Sequence, residues 1–405
     1  MASAFTGVRI LDFTQNQQGP SCTVLLADMG AEVIKVEPPG GEPGRSSGLG
    51  PDGYSAYFEA HNRGKKSIVL NMRTDEAKDI VRKLIPSVDV VVQNYRPGVM
   101  ERWGLGYDDL TKIKPDIILA SASAWGREGP WANRPGYDHV AQALSGVMSE
   151  QGGGPTEEPH AIFGGFSDQL GGLTLAFGIA SALWVRATTG KGQHVDTSLI
   201  GSLTSLQAMP LGRFLRTGKQ PGFEYRRSAT YTHYKCADGG YMAIAANTHD
   251  MWERFCDAAA PELKHDPRFE SPFDRADNKM VLVGVLEDLF KTKTVDEWGD
   301  LLHAADVPHA PVLTYAGLAE HPQFAANHYI EDIDHAVLGK MRVHGPPVHM
   351  SHTPPQIQGG GPQLAQHNEE VLLELGYRWE QIEALNRAGV TAMVEGAAKA
   401  VKGDE

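Results

Sequence analysis

Asp168 is the residue whose type and setting most directly suggest chemistry. It lies in Gly165-Phe166-Ser167-Asp168-Gln169, just ahead of Gly171-Gly172 and a long apolar stretch. A carboxylate at the start of a helix meets unpaired amides and the positive end of the helix dipole, which favour its ionised form. The ordinary outcome there is an N-cap. The same physics suits a nucleophile, because an ionised carboxylate among small residues can be approached by a thioester carbon. The pentapeptide starts like the GxSxG of serine hydrolases but ends in Gln, so that chemistry is not indicated.

Other sites are weaker by themselves. The loop Thr14-Gln15-Asn16-Gln17-Gln18-Gly19-Pro20 follows a strand pattern, where open α/β sheets bind ligands. It is rich in amide donors but lacks the GxGxxG that lets a backbone approach a pyrophosphate, which argues against a nicotinamide enzyme. A polar loop that only caps the next helix fits equally well. Arg63, Lys65 and Lys66 precede one strand, and Asn94, Tyr95, Arg96 and Arg102 follow another. Basic groups at successive strand ends can hold phosphates, while solvated surface charge is the plainer explanation. Gly64-Lys65-Lys66-Ser67 lacks the upstream spacing of a P-loop. His344, His349 and His352 have no ligand spacing and read as a solvated loop, so no metal site is expected.

The elements that must position these groups read as an α/β fold. Val8–Phe13, Glu32–Val36, Ser67–Met72, Val88–Val92 and Ile117–Ala120 are short apolar strands. Helices fall between them: Cys22–Met29, ended by Gly30, and one capped by Thr74 with Asp75 and Glu76 in its first turn. This alternation implies a mostly parallel sheet flanked by helices. Gly171–Ala187 reads as a long buried helix, too short in its apolar part to span a membrane. The texture changes after Arg216–Phe223. The expected domains are 1-215, the first part of a large α/β domain; 225-320, a smaller α+β domain; and 321-405, a return to the large domain with C-terminal helices. Thr294–Glu297 has the capping-box pattern, and Gly345–Pro362 reads as irregular. A formal charge of -13 over 405 residues argues against a nucleic-acid binder. Three dispersed cysteines, Cys22, Cys236 and Cys256, fit a reducing cytoplasm.

Nearly end to end the chain resembles the class III CoA-transferases, which include formyl-CoA:oxalate and carnitine CoA-transferases and related α-methylacyl-CoA racemases. The resemblance is carried by GVRILDFTQNQQGP, LLADMGAEVIKVEPPGGEPGR, NRGKKSIVLNM, VVVQNYRPGVMERWGLGYDDL, ILASASAWGREGPWANRPGYDHVAQALSGVM, GKGQHVDTSLIGSL and HNEEVLLELGY. It implies an interlocked homodimer, each subunit with a large domain built from both chain ends and a small middle domain. It also implies acyl-CoA and a small carboxylic acid as partners, a CoA thioester as substrate, and no tightly bound cofactor.

Carried over by position, Asp168 matches the catalytic aspartate, which forms a mixed anhydride and then an aspartyl-CoA thioester. Gln17 matches a residue near the reacting carbonyl. Lys65, Asn94, Tyr95 and Arg102 match CoA contacts; Asn16 and Gln18 share the matching loop but differ in type. Tyr137 and Asp138 start a helix that lies beside the site in relatives. Pro38 stands where the oxalate enzyme has an adenine-side arginine, so the nucleotide is held differently. The rival is a racemase, whose histidine is replaced here by Tyr137, a poor base at neutral pH; His139 would have to serve instead. A non-catalytic acyl-CoA binder is a third reading, disfavoured by Asp168. Arg226 and Arg227 could meet a second carboxylate, or be plain linker arginines.

Overall fold

The computed structural model describes residues 3–220, 226 and 228–392. Its centre is a six-stranded sheet of β1 (Arg9–Asp12), β2 (Glu32–Glu37), β3 (Lys66–Val69), β4 (Val90–Gln93), β5 (Ile118–Ser123) and β6 (His194–Ser198). The order is β3-β2-β1-β4-β5-β6, and every pairing is parallel. Successive side chains alternate between two buried faces. Leu11, Val91 and Leu119 join one apolar cluster, while Ile10, Val90, Val92 and Ile118 join another. Such strands need helices on both sides.

One face is covered by α1 (Gln18–Asp28). Two further helices follow in the chain, α2 (Ala56–Asn62) and α3 (Asp75–Leu84). The Thr74 hydroxyl caps α3 by accepting from the amide of Ala77 at 3.3 Å. Then come α4 (Asp138–Leu144) and α5 (Phe166–Thr189). At 24 residues, α5 is longer than its sequence pattern suggested, and by length and composition it could cross a membrane. Here Leu175, Ile179 and Ala182 pack into the core beside Cys22, Leu26 and Ala27 of α1. Gly172 permits that approach: a Cβ there would lie 2.8 Å from the Gln18 carbonyl oxygen and 2.7 Å from Ser21 Cβ.

The contacts divide the chain into two compact units, one of Met1–Gly152, Glu157–Pro221 and Ala325–Glu405, the other of Gly153–Thr156 and Gly222–Phe324. The second contains an antiparallel sheet of β7 (Tyr231–Lys235), β8 (Tyr241–Ala245) and β9 (His309–Pro311). Its core stacks Tyr234 on Phe290 (ring centroids 4.9 Å apart) and Phe290 on Trp298 (4.4 Å). The Thr294–Glu297 capping box forms with both its hydrogen bonds.

One feature lay outside the expected elements, and one expectation needed correction. Residues 330–344 form a hairpin, β10 (Ile330–His335) with β11 (Gly339–His344), which the sequence did not betray. His344 is exposed as expected but ends β11 rather than lying in a loop, and Arg63, only 1% exposed, is within 2.7 Å of its Nε2 and also pairs with Asp28 at 2.6 Å.

Candidate active site

The strand order reverses between β1 and β4, and a sheet of this kind opens a crevice beyond the carboxyl ends of those two strands. A cavity of about 250 Å³ lies there. Its walls come from the loop after β1 (Gln15–Gln18), the loop after β4 (Asn94–Pro97), the segments Ser123–Trp125 and Arg134–Tyr137, and Asp168.

Asp168 is not the N-cap of α5. The cap position is Gly165, in the left-handed region at φ 67°. That φ favours glycine, and a Cβ there would lie 2.2 Å from Gln17 Oε1, so a larger residue would also displace the Gln17 side chain. The capping is done from α4. Asp138 Oδ1 accepts from the Ser167 amide (2.6 Å), the Ser167 hydroxyl (2.6 Å) and the Asp168 amide (3.2 Å). Its Oδ2 accepts from Gln142 Nε2 at 2.7 Å. The positive end of α5 is therefore directed at Asp138.

This reverses the expected protonation of Asp168. Burial, and next the charge of Asp138, push its carboxyl up to about 7, where helix capping had been expected to keep it low. Among the described residues no lysine, arginine or histidine is ion-paired with either carboxylate.

Two neighbours went unnoticed in the sequence. Tyr57 on α2 has its phenol pushed up by burial and then by the charges of Asp168, Glu42 and Asp138. His61 Nδ1 lies 2.7 Å from the Tyr57 carbonyl, and Gln169 Nε2 lies 2.9 Å from His61 Nε2. Burial lowers His61 to about 4, so the neutral ring donates to Tyr57 and accepts from Gln169, tying α2 to the first turn of α5. No short motif marks either residue.

A family model described as CoA-transferase family III matches residues 5–368. The chain belongs to CoA-transferase family III. It is 37% identical over 367 residues to an acetyl-CoA:oxalate CoA-transferase of Acetobacter aceti, covering 89% of this chain and 92% of that protein. It is 34% identical to the succinyl-CoA:glutarate CoA-transferase of Mus musculus, covering 95% and 89%. Among solved structures, a CAIB/BAIF family protein from Brucella suis superposes with a TM-score of 0.83 at 32% identity, covering 93% of this chain and 100% of that one. The chain is thus a class III CoA-transferase.

In this family III chain the structure gathers some of the expected site residues and not others. Gln17 is 8% exposed and donates from Nε2 to the Gly164 carbonyl at 3.3 Å, beside Asp168 in the cavity wall. Gln18 is 5% exposed, lines the cavity, and has no hydrogen-bond partner for its buried Nε2. Asn16 lines it at φ 61°. Tyr137 is exposed at the cavity wall, at the N-cap position of α4.

Asn94 and Tyr95 line the cavity but are engaged in shaping it. The Asn94 amide accepts from the Gln15 N–H and donates to the Gln15 carbonyl, each at 2.8 Å. The Tyr95 hydroxyl accepts from Gln15 Nε2 at 3.1 Å. Lys65 does not reach the cavity. It is buried, and its ammonium donates to Asp12 (3.2 Å), the Pro20 carbonyl (3.2 Å) and Asn62 (2.9 Å). Arg102 is exposed outside the lining. The cations that do line it are Arg96 and Arg134, the latter stacked 4.1 Å over Trp131. Arg226 is ion-paired with Glu287, and Arg227 lies outside the described residues.

Proposed function

We propose that the protein moves CoA from an acyl-CoA to a free carboxylate through covalent chemistry on Asp168. The observation that carries this reading is a poorly solvated carboxylate on the wall of the β1/β4 crevice with no cation paired to it among the described residues. Poor solvation leaves the ionised form reactive toward a carbonyl carbon.

The Asp168 carboxylate attacks the donor thioester carbon, the C–S bond breaks, and CoA leaves as thiolate. The thiolate attacks the aspartyl carbonyl of the resulting anhydride and expels the donor acid, leaving an aspartyl-CoA thioester. The acceptor carboxylate then displaces CoA to form a second anhydride. Attack of the thiolate on the acceptor acyl carbon frees the new acyl-CoA and restores Asp168. Each step exchanges one activated acyl group for another, so no ATP is consumed. The Gln17 amide, released from Gly164, is the donor for the oxygen that becomes negative in these additions. Gln18, Tyr95, Arg96 and Arg134 are the proposed cavity contacts for CoA or its acyl group, with Asn16 contributing through its backbone. For Lys65, Asn94 and Arg102, the geometry favours structural or peripheral roles over direct contact.

The acids paired with the acyl-CoA in these relatives' names are oxalate, D-citramalate, mesaconate and glutarate. All are diacids, and we take a short dicarboxylate as the acceptor, with Arg96 or Arg134 meeting its second charge. A homodimer belongs to the same proposal. It is supported by the apolar side chains of Phe177, Trp184, Met209 and Leu215, each at least 70% exposed, and sedimentation velocity tests it. A cytoplasmic site of action is proposed from Cys22, Cys236 and Cys256, all buried free thiols.

The test is mass spectrometry of CoA thioesters after mixing the protein with succinyl-CoA, acetyl-CoA and a carboxylate panel without ATP. New thioesters with the wild type and none with Asp168→Ala support the reading. Deuterium entering the α-position of a branched acyl-CoA, without new thioesters, would establish an isomerase. Against that reading, Tyr137 stands where the racemases carry their histidine, and exposed His139 is not among the residues lining the cavity.

A further inference from the structure

Beneath the loop after β1 lies a buried ion pair outside the cavity lining. Lys35 and Glu42 are 0% and 2% exposed, with Nζ and Oε1 3.3 Å apart. Lys35 donates to the carbonyl of Thr14 at 2.8 Å. Glu42 Oε2 accepts from the amide of Asn16 at 2.8 Å and of Gly44 at 3.0 Å, while Oε1 accepts from Asn62 Nδ2 at 3.3 Å. The pair therefore grips the loop at residue 14 through a carbonyl and at residue 16 through an amide.

The grip matters because of the conformation it holds. Asn16 is at φ 61°, in the left-handed region that disfavours residues with a side chain, although asparagine tolerates it better than most. Such a conformation persists when its surroundings over-determine it. The next residue is Gln17, whose side chain sits against Gly164 and Gly165 beside Asp168. If residue 16 relaxed to negative φ, the chain would leave the loop in a different direction and Gln17 would move with it.

We infer that Lys35 and Glu42 are positioning residues for the reaction: they hold Asn16 left-handed and so fix Gln17 against the carbon that Asp168 attacks. This rests on the reading of the site given above. Neither residue touches substrate. A pair serving only core stability would contain the same contacts, so the experiment must separate the two roles.

In the full-length protein, Glu42→Gln keeps one amide acceptor and removes the charge facing Lys35. The expected result is a kcat about 100-fold lower, a KM for acyl-CoA within about threefold of wild type, and faster amide exchange confined to residues 14–18. Adding Asn16→Gly, which makes positive φ inexpensive, should recover about tenfold of the lost kcat. Unchanged exchange at 14–18, a kcat within about threefold of wild type, or no recovery by glycine would overturn the inference. Should Glu42→Gln fail to fold, Asn16→Pro leaves the pair in place, imposes negative φ and removes the amide. It should show the same loss of kcat, and a normal kcat would overturn the inference. Exchange needs no turnover: a wild type without transfer, whose loop is still loosened by Glu42→Gln, would sink the site reading while supporting the positioning of the loop.

Discussion

Two groups of carboxylates, one buried and one half-buried, lie within one unit of this protein and are treated in opposite ways. Under the sheet ends, Asp12, Glu37 and Glu42 each have a cation: Lys65, Arg45 and Lys35. Burial pushes Asp12 up, but Lys65 and Lys35, with the hydroxyls of Thr14 and Thr23, outweigh it and hold it below the usual range. Glu37 is likewise held down, against burial, by Arg45, Lys35 and Ser67. At the cavity, Asp168 has only burial and another carboxylate, and rises to about 7. Balanced charge shapes the floor, and unbalanced charge is left where a bond must form. Stability and reactivity are thus divided between neighbouring sets of the same side chain.

The sharpest way to break this contrast is Asp168→Asn. Turnover should fall by at least about 1,000-fold, measured by thioester exchange with the fold checked by circular dichroism. Substantial residual turnover would move the nucleophile elsewhere. On the floor, Lys65→Met strands Asp12 without its nearest cation, and urea titration should show a loss of about 3–5 kcal/mol. If stability is unchanged and acyl-CoA affinity falls instead, Lys65 belongs to the ligand site.

The two regions should also respond to charge removal with opposite sign. The folded state raises the pKa of Asp168, so its ionised form costs stability once the pH exceeds the unfolded value, the cost growing until about pH 7. Asp168→Asn should therefore be more stable than wild type at pH 8, by about 1–3 kcal/mol, with the gain vanishing below the ordinary carboxylate range. Asp12→Asn should be less stable at pH 8. Equal signs in urea titrations would remove the distinction.

The smallest effect is expected at Asp138. Because Asp168 must be ionised to attack, activity should rise with pH through about 7. Asp138→Asn keeps an oxygen for the α5 amides but loses the charge, so the acid limb should move down by about one pH unit. An unmoved limb would assign the raised pKa to burial alone.

What the sequence revealed was local. Five of the six strands of the sheet showed as apolar runs, while the largely polar β6 did not, and the caps at Thr74 and Thr294 showed as hydroxyls three residues before the amides they accept from. The family motifs also led to Asp168 and to the Gln17 loop. What it hid was long-range. Lys65 looked like a phosphate ligand because its partner Asp12 is 53 residues away. Asp168 looked like a cap because the true cap, Asp138, is 30 residues upstream on another helix. The β10–β11 hairpin escaped notice because its strands are largely polar and mostly partly or fully exposed, which leaves little apolar alternation.

The central claim is a covalent aspartyl intermediate, and peptide mass analysis tests it directly. Wild-type protein is mixed with acyl-CoA without acceptor, quenched in acid, digested and compared with a sample treated with hydroxylamine. The account predicts a CoA or acyl adduct on the peptide carrying Asp168, removed by hydroxylamine and absent from Asp168→Asn. Full turnover with no adduct under any quench, or an adduct that persists in Asp168→Asn, would contradict it.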